Sequence, residues 1–282
     1  LDDAPGLDRA LRGVPVVLHC AGPYKFTSKP MADACLRAGV HYLDLTGEIP
    51  VFEALAARDA EAKERGVMLL PAVGFDVVPT DCLAVHLLRR LPSATRLTLA
   101  FQSVGRAGLP PGTQRTMIEL LPFGDRVRLG GKLVVPKQAV KLRSIDFGQG
   151  PVEAMRFTWG DVYTAYHSTG IADIEVYAVL PAPMRRQMAL LKTLRPLFSL
   201  APMRALLQRG VRPGPSAQAR AQTVTHVWGE VTDAQGRSAV SRLHGPEAGL
   251  VWTTRAALAA VKRVLAGNTT LGYQTPGKAF GA

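Results

Sequence analysis

The chain has 282 residues, of which 47% are hydrophobic and 20% are charged. This composition is typical of a globular protein and argues against a chain that is disordered throughout. No run of about twenty apolar residues is present, so the sequence predicts no membrane-spanning helix and we expect a cytoplasmic protein. The spacing of Cys20, Cys35 and Cys82 fits neither a disulfide framework nor a metal clip, which predicts buried, reduced thiols and no metal site.

The net charge of +12 is concentrated in one region. No acidic residue lies between Glu175 and Glu230, while eight basic residues do. The basic character is therefore regional. These basic residues are Arg185, Arg186, Lys192, Arg195, Arg204, Arg209, Arg212 and Arg220.

The first ninety residues alternate between strand and helix signals. Short apolar runs at residues 14–20, 40–45 and 67–73 predict strands buried on both faces. We predict helices from Thr27 or Ser28 to Arg37, with Pro30 in the first turn, from Pro50 to Gly66, and from a Thr80 cap to Leu88. This order predicts half of a Rossmann-type, doubly wound parallel sheet.

A second pattern begins near Arg96. Longer strands are predicted at residues 97–104, 131–142, 154–158 and 171–180 without regular helices between them, and a strand pair at 221–232 and 238–244. A final helix is predicted at 254–265. We therefore expect a partial dinucleotide-binding domain at 1–92 and an α+β domain with a mixed or antiparallel sheet at 93–250. The latter carries a helical insertion at 183–216, and a tail at 251–282 returns to the first domain.

Three loops follow the predicted parallel strands. They contain Ala21-Gly22-Pro23-Tyr24, Thr46-Gly47-Glu48 and the segment from Gly74 and Phe75 to Asp81. In a doubly wound sheet the ligand lies beyond the carboxyl ends of the strands, so we expect these loops to form one site. Taken singly, each loop is also explained as an ordinary turn.

The same loops carry a resemblance to a known family. The segments CAGPY, GVHYLDLTGE and PAVGFDVVPTD, with WGDVYTAYHSTGIADIEVY and the final GYQTPGKAFGA, make the chain similar to saccharopine dehydrogenase-like oxidoreductases along almost its whole length. Within that family it resembles the trans-acting enoyl reductases. Members begin with a strand and a glycine-rich turn that cradles the cofactor pyrophosphate. No such turn precedes Val14, so we expect an N-terminally truncated chain that lacks the first βαβ units and need not be active by itself.

The resemblance implies hydride transfer with NAD(P), with NADP favoured, on an acyl-lipid or polyketide-like substrate. It implies a cofactor site at Ala21, Gly22, Pro23, Thr46, Gly47, Gly74 and Phe75. Asp81 and Thr113 would contact the substrate. Tyr24 and Asp76 are the predicted catalytic residues, and His167 is a further candidate for the required proton donor.

The basic interval supports two interpretations. Met184, Leu191, Leu194 and Phe198 recur at helical spacing opposite the basic side chains, and Pro196 and Pro202 divide the interval into two short helices. Residues 183–212 are thus either a solvated basic face or a surface that contacts an anionic membrane, peripherally at its inner face. The alternative function is a catalytically inactive, lipid-associated binding protein. No hydrolase, NTPase or nucleic-acid motif is present, and a homo-oligomer remains open.

Overall fold

The computed structural model describes residues 1–138 and 140–282, with the side chains of Lys192, Thr193 and Arg195 outside the description. The strands are β1 Val16–His19, β2 His41–Asp44, β3 Met68–Leu70, β4 Ala94–Val104, β5 Val127–Leu129, β6 Lys132–Val134, β7 Leu142–Asp146, β8 Pro151–Arg156, β9 Asp173–Ala178, β10 Val224–Asp233, β11 Ser238–Pro246 and β12 Gly272–Tyr273. The helices are α1 Ala4–Ala10, α2 Tyr24–Ala38, α3 Ile49–Ala56, α4 Asp59–Glu64, α5 Val78–Arg90, α6 Pro111–Leu120, α7 Asp161–Thr169, α8 Ala182–Thr193, α9 Ala201–Arg209, α10 Ala217–Ala221, α11 Thr253–Leu265 and α12 Pro276–Phe280.

The three predicted parallel strands form one sheet, in the order β1-β2-β3-β12. Leu43 in β2 pairs with Leu18 in β1 and with Leu70 in β3, and all of these strands run in the same direction. The fourth strand comes from the C-terminal tail, where Tyr273 pairs with Leu69. The carboxyl ends of β1, β2 and β3 consequently meet at one edge.

Helices cover both faces of this sheet, as burial on both sides requires. On one face α2, α3 and α4 bury Leu36, Phe52 and Ala62 against the sheet. On the other face α11 buries Ala257, Ala260 and Val264 against Leu43, Met68 and Leu70. The prediction of a doubly wound parallel sheet is confirmed.

The start of α3 at Ile49 lies one residue from the predicted Pro50, whereas the predicted starts of the other two helices in this region were wrong. Helix α2 begins at Tyr24, so Thr27, Ser28 and Pro30 lie inside it. Its end is as predicted, because Gly39 adopts a φ of +68° that suits glycine. The second predicted helix is divided into α3 and α4, and α5 begins at Val78, two residues before Thr80.

The second sheet is mixed, as predicted. Its main order is β11-β10-β4-β9-β5-β6, with β8 pairing with β9 and β7 with β8. Strands β4 and β9 are parallel, whereas the other pairs are antiparallel. Helices α5 and α7 pack Leu87 and Ala165 against Leu99 and Val176 on one face of this sheet.

Several details of the second region differ from the prediction. Residues 131–142 contain the short strand β6 and the start of β7 rather than one long strand. Two helices, α6 and α7, lie where no regular helix was expected. His167, interpreted as part of a strand-like run, lies in α7. The run DVYTAYHST is rich in β-formers, but its residues Val162 and Ala165 are buried against the sheet, and this packing outweighs the local propensity.

Candidate functional site

The loop after β1 is open to solvent. Cys20, Ala21 and Gly22 are exposed, so Cys20 differs from the expected buried thiol. Tyr24 begins α2 and is only 8% exposed, with its ring edge-on to His19 at 5.6 Å between centroids. The Thr27 hydroxyl donates to the Ala21 carbonyl oxygen at 2.5 Å, which fixes the loop against the helix. The edge therefore presents small exposed residues beside one buried aromatic hydroxyl.

A carboxylate from the neighbouring loop caps helix α2. Glu48 accepts hydrogen bonds from the backbone N–H groups of Tyr24, at 2.9 Å, and Lys25, at 2.8 Å. An anion at a helix N-terminus is favoured by both the free N–H groups and the helix dipole. Burial raises the pKa of Glu48, while these two bonds oppose that change. The cap explains why α2 starts at Tyr24 without a local capping side chain.

Asp44 organises the loops after β2 and β3 from beneath. Its carboxylate is completely buried and accepts from the Thr46 N–H at 2.9 Å, the Ala72 N–H at 3.0 Å and the Tyr42 hydroxyl at 2.7 Å. Ala72 is held at a φ of +62°, in the left-handed region. Burial raises the pKa of Asp44 to about 6, although all three bonds lower it.

Asp76 lies against Gly47 at the same edge. A β-carbon added to Gly47 would approach the Asp76 carboxylate oxygen to 2.8 Å, so glycine gives that carboxylate its space. Withdrawal from water, together with the nearby Glu48 carboxylate, raises the pKa of Asp76 from 3.8 to about 7. The Asp76 carboxyl group therefore keeps its proton to a higher pH than an ordinary aspartate does.

Tyr24 keeps its proton over the whole physiological range. Burial raises the pKa of its hydroxyl well above 10, and the neighbouring Asp44, Cys20 and Asp76 raise it further. The two predicted catalytic residues therefore lie at the same edge of the sheet, close enough for Asp76 to raise the pKa of Tyr24. Asp44 and Glu48, which support them, were not predicted as site residues.

The other predicted cofactor residues divide into two groups. Ala21, Gly22, Pro23 and Gly47 line the accessible edge. Thr46 is buried and its hydroxyl accepts the Glu48 N–H at 3.0 Å, which stabilises the turn. Gly74 lies where a β-carbon would approach the Thr253 methyl group to 3.1 Å, and the Phe75 N–H donates to the Thr253 hydroxyl at 3.2 Å.

Phe75 faces the second sheet. Its ring contacts Phe101 and Trp252 at centroid distances of 6.1 and 5.3 Å, and Phe101 contacts Trp159 at 4.8 Å. Phe101, Trp159 and Trp252 are half-buried, and we call these four rings the aromatic cluster. Through Phe75, which directly precedes Asp76, this apolar cluster adjoins the loop that carries Asp76.

Asp81 is completely buried among protein groups. It accepts from the Ser168 hydroxyl and the Gly277 N–H, each at 2.7 Å. These bonds join α5 to α7 and to the start of α12. Burial raises the pKa of Asp81 to about 6. This geometry favours a structural clamp, and the predicted substrate contact stays a prediction.

Gly277→Ala is expected to lower the free energy of unfolding by about 1–3 kcal/mol through overpacking. A β-carbon there would lie 2.8 Å from both the Asp81 carbonyl oxygen and its carboxylate. Gly112→Ala is the matched control, because a β-carbon at Gly112 in α6 meets nothing within 4 Å. Denaturant unfolding checks both variants, and equal stability of the two would contradict the clamp.

Helix α6 approaches the edge from the second region. The Thr116 hydroxyl donates to Glu48 at 3.4 Å, and Lys25 forms an ion pair with Glu119. Thr113, the predicted substrate residue, is half-buried in the first turn of the same helix. His167 packs its ring against Tyr163 and Tyr273 at 4.7 and 5.3 Å, and burial lowers its pKa.

Two searches of the described residues gave no result. No group of three or more His, Cys, Asp or Glu side chains there is arranged to hold a metal ion. Within residues 1–138 and 140–282, no helix is long and apolar enough to cross a membrane.

Comparison with protein families gives a match at the N-terminal end. Residues 1–70 match the family described as the saccharopine dehydrogenase NADP binding domain. That match includes β1, β2 and β3 and the loops after β1 and β2. The resemblance to saccharopine dehydrogenase-like oxidoreductases is confirmed.

Curated relatives match less than half of the chain. The human protein named saccharopine dehydrogenase-like oxidoreductase is 30% identical over 128 residues, which cover 44% of this chain and 29% of the relative. The trans-acting enoyl reductase of Mycobacterium ulcerans is 30% identical over 132 residues, 46% of this chain and 28% of that protein. The chain thus spans less than a third of the length of these relatives, and these alignments are shorter than the predicted resemblance.

A solved structure extends the comparison of folds. The apo, histidine-tagged saccharopine dehydrogenase (L-Glu forming) from Saccharomyces cerevisiae covers 99% of this chain with a TM-score of 0.60. The aligned region covers 83% of that chain, at 11% sequence identity. At this identity the likeness establishes the fold alone.

Proposed function

From the saccharopine dehydrogenase NADP binding domain that residues 1–70 match, we propose that this chain is part of an NAD(P)-dependent oxidoreductase that reduces an acyl-lipid or polyketide-like substrate. The observation that carries the proposal is the position of Tyr24, at the start of α2, and Asp76, against Gly47, at the carboxyl edge of the parallel sheet, where burial raises the pKa of both groups. The match to an NADP binding domain supports NADP over NAD.

The residues at this edge fit the nicotinamide half of the cofactor. Ala21 and Gly22 are small and exposed, so a flat ring can approach the backbone beside Tyr24. The N-terminus of α2 is already capped by Glu48, so it is not a site for the cofactor phosphates. When bound, the nicotinamide supplies or accepts a hydride.

The proton for reduction comes from the chain in this proposal. The Tyr24 O–H bond breaks as its proton passes to a substrate carbon, where a C–H bond forms. The resulting tyrosinate takes a proton from the Asp76 carboxyl group. Glu48 holds Tyr24 at the helix start, and the Asp44 bonds hold the loops that carry Gly47 and Asp76.

The aromatic cluster supports a hydrophobic substrate. Three of its four rings are half-buried and adjoin the loop that carries Asp76. The Trp159 indole N–H is buried without a hydrogen-bond partner in the described residues. A substrate carbonyl placed there would accept this N–H while its acyl chain contacts the rings.

The pH dependence of reduction tests the role of Asp76. Because its folded-state pKa is about 7, the carboxyl group holds a proton below that pH and loses it above. We expect the rate of NADPH oxidation with an enoyl thioester to fall as the pH rises through about 7. Asp76→Asn is expected to be slower below pH 7 and to lack this decline. A wild-type profile without the decline would contradict the role.

The exposed basic segment, residues 182–212, supports the alternative of a lipid-associated binding protein without catalysis. Its exposed side chains include Leu190, Leu200 and Leu206. Saturable enhancement of NADPH fluorescence by the full-length form supports the oxidoreductase. Vesicle binding without NADPH binding supports the alternative.

A further inference from the structure

Residues 182–212 lie outside the packed cores. No described side chain of 182–191 is buried, and helix α9 also has no buried residue. Phe198, between the two helices, is 5% exposed and is the residue that anchors the segment. Residues 182–212 are called the basic segment below.

Large apolar side chains of the basic segment face solvent. Leu190, Leu200 and Leu206 are 57–58% exposed, and further exposed residues lie close to them in the chain. On a soluble protein, a group of large exposed apolar side chains usually marks a site of interaction. The additional exposed residues are Met184, Leu194 and Leu197.

The charge around these side chains has one sign. Arg186, Arg209 and Arg212 are exposed, and the stretch from 176 to 229 contains no acidic residue. Some of the basic side chains serve the fold, because Arg185 pairs with Glu153 at 2.6 Å and Arg204 with Glu119 at 3.4 Å. The remaining exposed cations would attract an anionic surface, and the leucines would enter its apolar layer.

We propose that the basic segment docks on the surface of an anionic lipid bilayer. Helix α11 is the competing surface, since Leu258 and Leu265 are exposed and no acid follows Glu247. That helix, however, buries Ala257, Ala260 and Val264 in a core and exposes two leucines against the larger set of the basic segment. Among the described residues, the basic segment exposes six large apolar side chains and α11 exposes two.

The docking surface is connected to the candidate site by direct contacts. Gln208 in α9 donates to Glu119 in α6 at 3.1 Å, and Arg204 pairs with the same carboxylate. Glu119 in turn pairs with Lys25, next to Tyr24. Glu119 and Lys25 therefore connect helix α9, where the bilayer would bind, with the edge where we propose that an acyl substrate is reduced. The docking itself does not depend on that activity.

Co-sedimentation with vesicles tests the docking. We expect the chain to bind vesicles of phosphatidylcholine and phosphatidylglycerol, to stay in solution with phosphatidylcholine alone, and to be released by added salt. Leu200→Glu with Leu206→Glu is expected to weaken binding at least about tenfold. Leu258→Glu with Leu265→Glu on α11, equally exposed positions, is expected to leave binding unchanged.

A second variant separates docking from folding. Arg209→Glu with Arg212→Glu reverses two exposed charges without changing apolar surface, and should weaken binding to anionic vesicles by a similar factor. Melting curves of all variants should match the wild type. The proposal is overturned if the wild type does not bind anionic vesicles, or if the α11 variant, rather than the α9 variants, loses binding. NADPH binding, measured separately, reports on the proposed function and not on docking.

Discussion

Replacing Asp44 by alanine is expected to lower the free energy of unfolding by about 2–6 kcal/mol. The substitution leaves the buried N–H groups of Thr46 and Ala72 without an acceptor, and each such loss costs about 1–3 kcal/mol. Ala72 would also lose the bond that supports its left-handed conformation. Denaturant unfolding of the wild type and variant gives the difference directly.

Tyr42→Phe provides the matched control for Asp44. It removes the third donor to the carboxylate and leaves both backbone bonds in place. We expect the free energy of unfolding to fall by no more than about 1.5–3 kcal/mol, the contribution of one hydrogen bond to a charged group. If the free energy of unfolding of Asp44→Ala is no lower than that of Tyr42→Phe, the loops do not depend on this carboxylate.

Tyr24→Phe is expected to reduce the rate of NADPH-dependent reduction by about 10²–10⁴-fold, the usual contribution of a positioned proton donor. The ring remains, so its packing against His19 and the start of α2 are retained. The loss should therefore appear in kcat, with little change in KM, while the lost hydrogen bond to the Leu45 backbone lowers the free energy of unfolding by about 0.5–1.5 kcal/mol. Initial rates of NADPH oxidation over a range of substrate concentrations give kcat and KM, and denaturant unfolding gives the change in stability.

Tyr273→Phe is a suitable control for the loss of a buried hydroxyl. The Tyr273 hydroxyl is buried without a hydrogen-bond partner in the described part of the chain. Its removal should leave the rate unchanged and cost no stability. Equal rates for Tyr24→Phe and the wild type would exclude Tyr24 as the donor and favour Asp76 or His167.

The parallel sheet was predictable because its signals are local. Apolar runs at β1, β2 and β3 and the glycine at position 39 report directly on burial and on backbone conformation. The start of α2 was not predictable in this way, because its cap, Glu48, lies 24 residues from Tyr24 in sequence. Helix α7 was missed because its residues favour strands locally, and tertiary packing decides their conformation.

The sequence predicted only those features of the candidate site that follow from the topology of the sheet. Strand order places the loops after Cys20, Leu45 and Val73 at one edge, which brings Tyr24 and Asp76 together. Topology does not show the direction of a side chain. Thr46 and Phe75 in these loops, and Asp81 in the first turn of α5, contact protein neighbours. Asp44, in contrast, ends a strand and binds the backbone of two loops.

Titration of the full-length form with NADPH tests the central claim, that the loop after β1 receives the nicotinamide. Ala21→Leu adds bulk to an exposed position where the ring would approach, and Ala234→Leu adds the same bulk to an exposed turn of the β10–β11 hairpin. The account predicts saturable fluorescence enhancement for the wild type and Ala234→Leu, and at least about tenfold weaker binding for Ala21→Leu. Absence of binding to the wild type, or equal affinity for all three proteins, would contradict it.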